Sequence, residues 1–150
     1  ADGAVFSVAG GLGTIAKAGI YAKRKLNRDD GMGKPEKYQL DPDEFVLALT
    51  HERITMPKHL IALVEGRSTY ARVGLSMHQT APWIQPGWSG QITLEIRNSG
   101  PLQIALQPLL DRPCQLTFFQ LSRELEEAQA YGAQDGGRYQ NQTSALPGSK

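Results

Sequence analysis

One carboxyl group in the sequence lies in a pattern that suits proton transfer. In the stretch QITLEIR, residues 91–97, apolar and polar side chains alternate, so Glu95 is predicted to point away from the apolar face of a β-strand. A rigid strand holds a general acid or base accurately, and glutamate is otherwise uncommon in strands. The alternative is an ordinary solvent-facing carboxylate, which composition alone favours.

Two tryptophans lie next to this stretch. Trp83 and Trp88 flank a turn predicted at Pro86 and Gly87. Tryptophans beside a tight hairpin usually pack against the core, but they can also form the wall of a pocket for a nucleobase.

A second cluster suits an anion. Arg67, Ser68 and Arg72 lie within six residues of one another, just after a predicted strand. Two guanidinium groups, a hydroxyl and nearby backbone N–H groups can bind a phosphate chain through charge-assisted hydrogen bonds. The alternative is a pair of structural arginines that tie down a turn.

The sequence has no pattern of zinc ligands. It contains one cysteine, Cys114, and three histidines. Neither the H-x-E with P-C-x-x-C pattern nor the H-E-x-x-H pattern is present. A single cysteine also excludes an intramolecular disulfide, so Cys114 is predicted to be a buried thiol.

Length and charge narrow the class of protein. The chain has 150 residues, 40% of them hydrophobic and 21% charged, which suits one globular domain that buries about 68 to 70% of its unfolded surface. Sixteen Lys and Arg against fifteen Asp and Glu leave a net charge of +1, so no nucleic-acid partner is expected. No run reaches the roughly 18 apolar residues of a membrane span, and no signal-peptide pattern is present. We expect a cytoplasmic protein that does not bind membranes.

Short strands separated by turns dominate the middle of the chain. Residues 122–131 (SRELEEAQAY) are the exception and predict one short helix near the C-terminus, with Ser122 as its cap. The spacing of the strands predicts a mainly β fold, a sandwich or a barrel. The strands are predicted at residues 45–50, 60–64, 91–97, 102–106 and 114–121.

These patterns divide a single domain, residues 1–150, into three regions. Residues 1–37 are rich in glycine and then basic, and they predict loop with at most short strands. Residues 38–121 are predicted to form the β core. Residues 122–150 are predicted to contain the short helix and a polar tail without an apolar period.

Three long stretches carry a specific resemblance: VEGRSTYARVGL, MHQTAPWIQPGWSGQITLEIRNSGPL and CQLTFFQL, in this order. From about residue 38 to residue 142 the sequence closely resembles the dCTP deaminase branch of the dUTPase-like superfamily. The resemblance implies a distorted β-barrel that forms a homotrimer with active sites between subunits. It also implies deamination of dCTP to dUTP without zinc, with Mg²⁺ held mainly by the substrate triphosphate.

The resemblance also implies roles for individual residues. Glu95 matches the catalytic glutamate of the family's TLE segment, whereas Ser68 and Arg72 match the serine and second arginine of its GRSSxAR motif. A single carboxyl group on a strand can both take a proton from water and give one to a leaving amine. The other matched positions are implied to bind substrate: Arg67 in the same motif, His78, Thr80 and Ala81 in an HxTA segment along the pyrimidine, and Tyr131, Arg138, Tyr139 and Gln142 in a tail that closes over the triphosphate.

Three departures from the family pattern qualify this assignment. Gln85, in WIQPG, stands where the family usually has an aspartate associated with triphosphate hydrolysis, which argues against pyrophosphatase activity and changes contacts near the sugar. Residues 107–113 (QPLLDRP) replace a common R-P-G-M, and the loss of its glycine is expected to change that turn. The helix and first strand that usually precede Phe6 are expected to be missing, which would uncover part of the barrel and weaken the trimer.

Two alternatives to a dCTP deaminase remain open. One is a bifunctional dCTP deaminase and dUTP diphosphatase, or a dUTPase. The other is a truncated or divergent homologue that binds nucleotides, or a partner protein, without turnover.

Overall fold

The computed structural model of the chain describes residues 5–6, 15–17, 23–24, 36–133 and 137–144. The prediction of a mainly β fold is confirmed for these residues, which contain eleven short strands. The strands are β1 (Val5–Phe6), β2 (Ile15–Lys17), β3 (Lys23–Arg24), β4 (Tyr38–Leu40), β5 (Phe45–Thr55), β6 (Leu60–Gly66), β7 (Leu75–Ser76), β8 (Trp83–Ile84), β9 (Ser89–Asn98), β10 (Ile104–Leu106) and β11 (Cys114–Gln120).

The strands pair into three antiparallel sheets. One has the order β1-β11-β6-β8, the second has the order β3-β2-β5-β9-β7, and the third joins β10 to β4. Their inward faces share one hydrophobic core, which includes Leu40, Val46, Ile96, Leu106 and Leu116. The expected barrel is thus formed only in part, because no ladder joins the three sheets within the described residues. β7 and β8, which form edges of two of these sheets, have two residues each, too few to continue the pairing from one sheet to the next.

β9, the strand that contains Glu95, is held in the sheet by its antiparallel pairing with β5. β9 alternates as predicted, with Ile92, Leu94 and Ile96 buried and Glu95 half-buried on the other face. Burying each of the three apolar side chains contributes about 1.5 to 3 kcal/mol. A register slip of one residue would expose this row, so the apolar pattern fixes which way Glu95 points.

All five predicted strands are present, with shifted ends. The run at residues 45–50 continues to Thr55 as β5, and the run at residues 102–106 begins at Ile104 as β10. The structure adds β4, β7 and β8, which have only two or three residues each. Strands this short contain too little alternation for sequence to identify them, unless, like β10, they lie within a longer apolar run.

The helix predicted over residues 122–131 is wrong for most of its length. Only Glu127–Gln129 is helical, as one 3₁₀ turn, and the α-helical turn α1 (Ser68–Ala71) arises where the sequence pattern predicts none. The backbone N–H of Leu125 donates to the carbonyl of Lys58 at 3.1 Å. This tertiary hydrogen bond replaces a bond within the helix, so context overrides the helical propensity. No helix among the described residues is long and apolar enough to cross a membrane.

Cys114, at the start of β11, is a buried thiol, as predicted. Burial, and then the charge of Glu52, raise the pKa of this thiol from 9.0 to about 11. In the unfolded chain the thiol ionises near its ordinary pKa, whereas the folded chain keeps it neutral. The thiol therefore stabilises the fold below pH 9, and this contribution is lost as the pH rises from 9 to 11.

We expect this thiol to be visible in the pH dependence of stability. Between pH 9 and pH 11 it should lower the free energy of unfolding by about 2 kcal/mol, a loss that Cys114→Ala should not show. Urea unfolding of both proteins at the two pH values measures the difference, and lysine and tyrosine titration cancels in the comparison. If the free energy of unfolding changed with pH equally in the two proteins, the loss could not be assigned to Cys114.

Candidate active site

A cleft of about 520 Å³ beside β9 collects most of the residues that the sequence implicates. Apolar side chains, among them Val64, Trp88 and Ile92, form much of its lining. A mostly apolar cleft with a few polar groups is typical of a small-molecule site. Seven of the twelve candidate residues line it: His78, Ala81, Gln85, Glu95, Tyr131, Tyr139 and Gln142.

The carboxylate of Glu95 is oriented by the segment beside it. Its Oε2 accepts a hydrogen bond from the backbone N–H of Gln79 at 3.0 Å. The backbone N–H of Glu95 in turn donates to the carbonyl of Met77 at 3.0 Å. The side-chain amide of Gln79 donates to the carbonyl of Glu95 at 3.3 Å. One carboxylate oxygen is thus fixed by a main-chain donor, which suits a group that must hold one geometry during proton transfer.

The HxTA segment divides between the cleft and the surface. His78 and Ala81 line the cleft, whereas Thr80 is exposed and does not. The Nε2 of His78 lies 3.9 Å from Oε2 of Glu65, and its Nδ1 is buried without a hydrogen-bond partner among the described residues.

The C-terminal tail docks on the start of β9. The indole N–H of Trp88 donates to the carbonyl of Tyr139 at 3.0 Å, and the backbone N–H of Gln91 donates to the carbonyl of Gln142 at 3.0 Å. The side-chain amide of Gln142 donates to Oγ1 of Thr93 at 2.6 Å. These bonds hold Tyr139 and Gln142 at the cleft, which Tyr131 also lines, whereas Arg138 is exposed and does not line it.

The arginine cluster lies outside this cleft. Arg67, Ser68 and Arg72 are exposed, and none of them lines it. They are positioned by α1, which begins at Ser68 and has Arg67 as its N-cap. Within one chain, the structure therefore does not bring the implied serine and arginine to Glu95.

Sequence reasoning missed two polar residues of the site. Thr93 lies two residues before Glu95 on the same face of β9, so the period of two could have identified it. Gln79 acts largely through its backbone N–H, which has no signature in a sequence. Trp88, for which packing and a pocket wall were both open, does both: it is buried in the core and lines the cleft.

The described residues contain no group of three or more His, Cys, Asp or Glu side chains placed to hold a metal ion. Among the described residues that line the cleft, Glu95 is the only one with a carboxylate. Any Mg²⁺ in this cleft would therefore need oxygen ligands from another source, such as a bound phosphate chain.

Comparison with protein families gives a specific match. The model for dCTP deaminase-like domains matches residues 15–121. A dCTP deaminase of Natronomonas pharaonis is 46% identical over 108 residues, which cover 72% of this chain and 54% of the relative. A "dCTP deaminase, dUMP-forming" of Methanothermobacter thermautotrophicus is 43% identical over 110 residues, 71% of this chain and 55% of the relative. The chain thus spans about half the length of the curated relatives that it matches.

Solved structures agree on the fold. A 2'-deoxycytidine 5'-triphosphate deaminase from Agrobacterium tumefaciens superimposes with a TM-score of 0.57 at 17% identity, over 81% of this chain and 42% of that chain. The dUTPase of EIAV superimposes with a TM-score of 0.50 at 19% identity, over 75% of this chain and 93% of that chain. With the family match over most of the β core, the chain belongs to the dCTP deaminase-like family.

Proposed function

We propose that this chain catalyses the hydrolytic deamination of dCTP to dUTP and ammonia. The observation that carries the proposal is Glu95, a carboxylate oriented by the N–H of Gln79 in a largely apolar cleft. Membership of the dCTP deaminase-like family, whose relatives include proteins named dCTP deaminase, supports the choice of substrate.

One carboxyl group can carry both proton transfers of this reaction. Glu95 takes a proton from a water molecule as the water oxygen adds to C4 of cytosine. It passes this proton to N3 of the ring, then takes the second proton from the C4 hydroxyl and gives it to the amino group, so that the C4–N bond to the amine breaks and ammonia leaves as the C4 carbonyl forms. Fixing one oxygen through Gln79 N–H aligns the other for both steps.

The cleft residues divide between the base and the phosphates. His78 and Ala81 lie along the cytosine, and Gln85 lies near the sugar. Tyr131, Tyr139 and Gln142 cover the triphosphate, with which Mg²⁺ enters as part of the substrate. Arg138 adds positive charge at the same end of the tail. Such a nucleotide enzyme belongs in the cytoplasm, where deoxynucleotide pools are used.

We further propose that the active enzyme is a homotrimer in which Ser68 and Arg72 reach the cleft of a neighbouring subunit. The observation behind this step is that both side chains are exposed and lie outside the cleft that contains Glu95. Arg72 and Ser68 then orient water and phosphate and stabilise the charge that develops in the transition state.

Subunit complementation tests this arrangement. Glu95→Gln and Arg72→Ala should each be inactive alone, but refolding them together should restore about one site in four, because random mixing gives that share of sites both intact residues. Ammonia release before and after mixing is the measurement. No recovery in mixed oligomers identified by native mass spectrometry would contradict shared sites.

The expected product is dUTP, because Gln85 takes the position where the family usually has an aspartate for triphosphate hydrolysis. Purified chain incubated with dCTP and Mg²⁺ should release ammonia and accumulate dUTP, as read by enzymatic ammonia assay and anion-exchange chromatography. Release of pyrophosphate together with dUMP would instead favour the bifunctional alternative. Relatives named "dUMP-forming" match this chain as well as the others do, at 43% and 47% identity, which keeps this second candidate in the test.

A homologue that binds dCTP without turnover would give a different result in the same assay. Calorimetry would then detect dCTP binding while ammonia stays at the level of the Glu95→Gln protein. Ammonia above that level excludes this alternative.

A further inference from the structure

The turn between β10 and β11, residues 107–113, departs from the family pattern, and the structure explains how it is built. Leu109 has a φ of 64°, in the left-handed region that favours glycine. The Leu109 side chain is 53% exposed, so no core contact compensates for this conformation. Leucine thus adopts a glycine-like backbone conformation at this residue, under strain.

Asp111 closes this turn with its own backbone and side chain. Its Oδ2 accepts a hydrogen bond from the backbone N–H of Gln107 at 2.5 Å, and its backbone N–H donates to the carbonyl of Gln107 at 2.9 Å. Its other oxygen, Oδ1, accepts a hydrogen bond from the hydroxyl of Tyr70 at 3.0 Å. The carboxylate thus joins the turn to α1, which contains Tyr70.

On its own, α1 has little to hold it. It has four residues, none of them buried, and its N-cap Arg67 makes no side-chain capping bond. A single helical turn does not persist in water without tertiary contacts. Tyr70 packs against the core, and further contacts come from the same turn: the backbone N–H of Arg67 donates to the carbonyl of Pro113 at 3.0 Å, and its Nη1 to the carbonyl of Arg112 at 3.3 Å.

We propose that Asp111 is a positioning residue that holds α1 in place and thereby sets where Ser68 and Arg72 are presented. The catalytic part of this inference rests on the proposed function, whereas the structural part does not. Asp111 acts through Tyr70 and touches no substrate in this role. In this proposal, the turn at residues 107–113 supplies the carboxylate that fixes α1 and the two arginines that cap it.

The titration of Tyr70 agrees with this geometry. Burial, first, and the hydrogen bond to Asp111, second, raise the pKa of the Tyr70 hydroxyl above its ordinary value of 10.0, while the charge of Arg67 opposes the shift. A hydroxyl held protonated in this way remains a hydrogen-bond donor to Asp111 throughout the neutral pH range.

Amide hydrogen exchange measured by NMR tests the structural part without any substrate. The N–H groups of Ala71 and Arg72 bond to the carbonyls of Arg67 and Ser68. In Asp111→Ala these two amides should exchange about tenfold faster relative to the amides of β9. Asp111→Asn, which keeps one acceptor oxygen, should give a smaller change. Tyr70→Phe tests the same bond should Asp111→Ala fail to fold.

Ammonia release from dCTP tests the catalytic part. A displaced active-site group can lower the rate by about 10²-fold, so we expect a loss of that order in kcat/KM for Asp111→Ala and a partial rescue in Asp111→Asn. The matched control is Tyr38→Phe, which removes another tyrosine-to-carboxylate hydrogen bond, 2.8 Å to Glu44. This variant should be less stable, but the amide exchange rates in α1 and the rate of ammonia release should stay as in the wild type.

Each outcome decides one part of the proposal. Unchanged exchange at Ala71 and Arg72 in both Asp111→Ala and Tyr70→Phe would overturn the role of Asp111 in holding α1. Faster exchange with unchanged kcat/KM would overturn its role in catalysis. A wild-type chain that releases no ammonia refutes the proposed function and with it the catalytic part, while the exchange rates still decide the structural part.

Discussion

Ammonia release from dCTP should fall by at least about 10²- to 10⁴-fold when Glu95 is replaced by glutamine, because positioned proton transfer contributes a factor of this size. Glutamine has the shape of glutamate and keeps an oxygen that can accept the hydrogen bond from Gln79 N–H. It lacks the basic oxygen that takes a proton from water. The fold, the cleft and the binding of dCTP should therefore persist while turnover is lost.

The measurement is initial ammonia release at saturating dCTP and Mg²⁺, with calorimetry to follow dCTP binding. Arg97→Gln is a matched control, because Arg97 lies two residues further along the same face of β9 and is exposed. It forms an ion pair with Asp43 at 3.4 Å, an exposed contact of the kind that contributes little to stability. Near-wild-type turnover in Glu95→Gln would show that another group is the base, whereas loss in both variants would point to damage to the strand.

The largest effect on stability is expected at Asn98, which is fully buried at the end of β9. Its side-chain amide donates to the carbonyls of Leu40 and Leu102 at 3.1 and 2.8 Å, and its Oδ1 accepts from the N–H of Gly100 at 3.0 Å. Each buried group left without a partner costs about 1 to 3 kcal/mol. Asn98→Ala should therefore lower the free energy of unfolding by about 3 kcal/mol or more.

Thermal and urea unfolding measure this loss, and a domain of this size should show a decrease in Tm of about 6 to 12 °C. Gln103→Ala is the control, since it also removes a side-chain amide, but an exposed one that donates to Asp41. We expect its effect to stay within about 0.5 kcal/mol. Similar losses for the two variants would contradict the role of burial. In Asn98→Asp, oxygen replaces the donor facing two carbonyls, so the loss should be as large.

The tight backbone contact beside Asn98 predicts that alanine is not tolerated at Gly100. Gly100 lies against Val73, and a Cβ at Gly100 would be 2.2 Å from the Val73 carbonyl oxygen. The Val73 carbonyl and the Gly100 Cα both belong to the main chain, so neither can move aside on its own. The hydrogen bond from Asn98 to Gly100 N–H thus closes a turn in which only glycine fits.

Much of the fold follows from local patterns. The alternation in β9 predicts both the buried row and the outward direction of Glu95, and both are observed. The four longest strands, β5, β6, β9 and β11, are predicted for the same reason: burial on one face of a strand repeats every two residues, a period that a short window of sequence contains. The helix predicted at residues 122–131 fails in part because the backbone N–H of Leu125 bonds to a distant turn at Lys58, and no local window contains that turn.

The candidate site is predictable in its residue types but not in its arrangement. The resemblance to the family points to twelve residues, of which seven meet in one cleft. It cannot indicate that Arg67, Ser68 and Arg72 lie outside that cleft, because their position depends on how α1 sits against the turn at residues 107–113. Nor can it find Gln79, whose main contribution is a backbone N–H.

By itself, the sequence determined the mainly β character, the buried row of β9 and the direction of Glu95, because each depends on neighbours along the chain, and it indicated the burial of Cys114 from residue type. Only the tertiary structure decided which segments meet. Tyr70 reaches Asp111 across 41 residues, and Gln142 reaches Thr93 across 49. Such contacts depend on strand register and on the path of the whole chain, which is set by packing all the strands around one core.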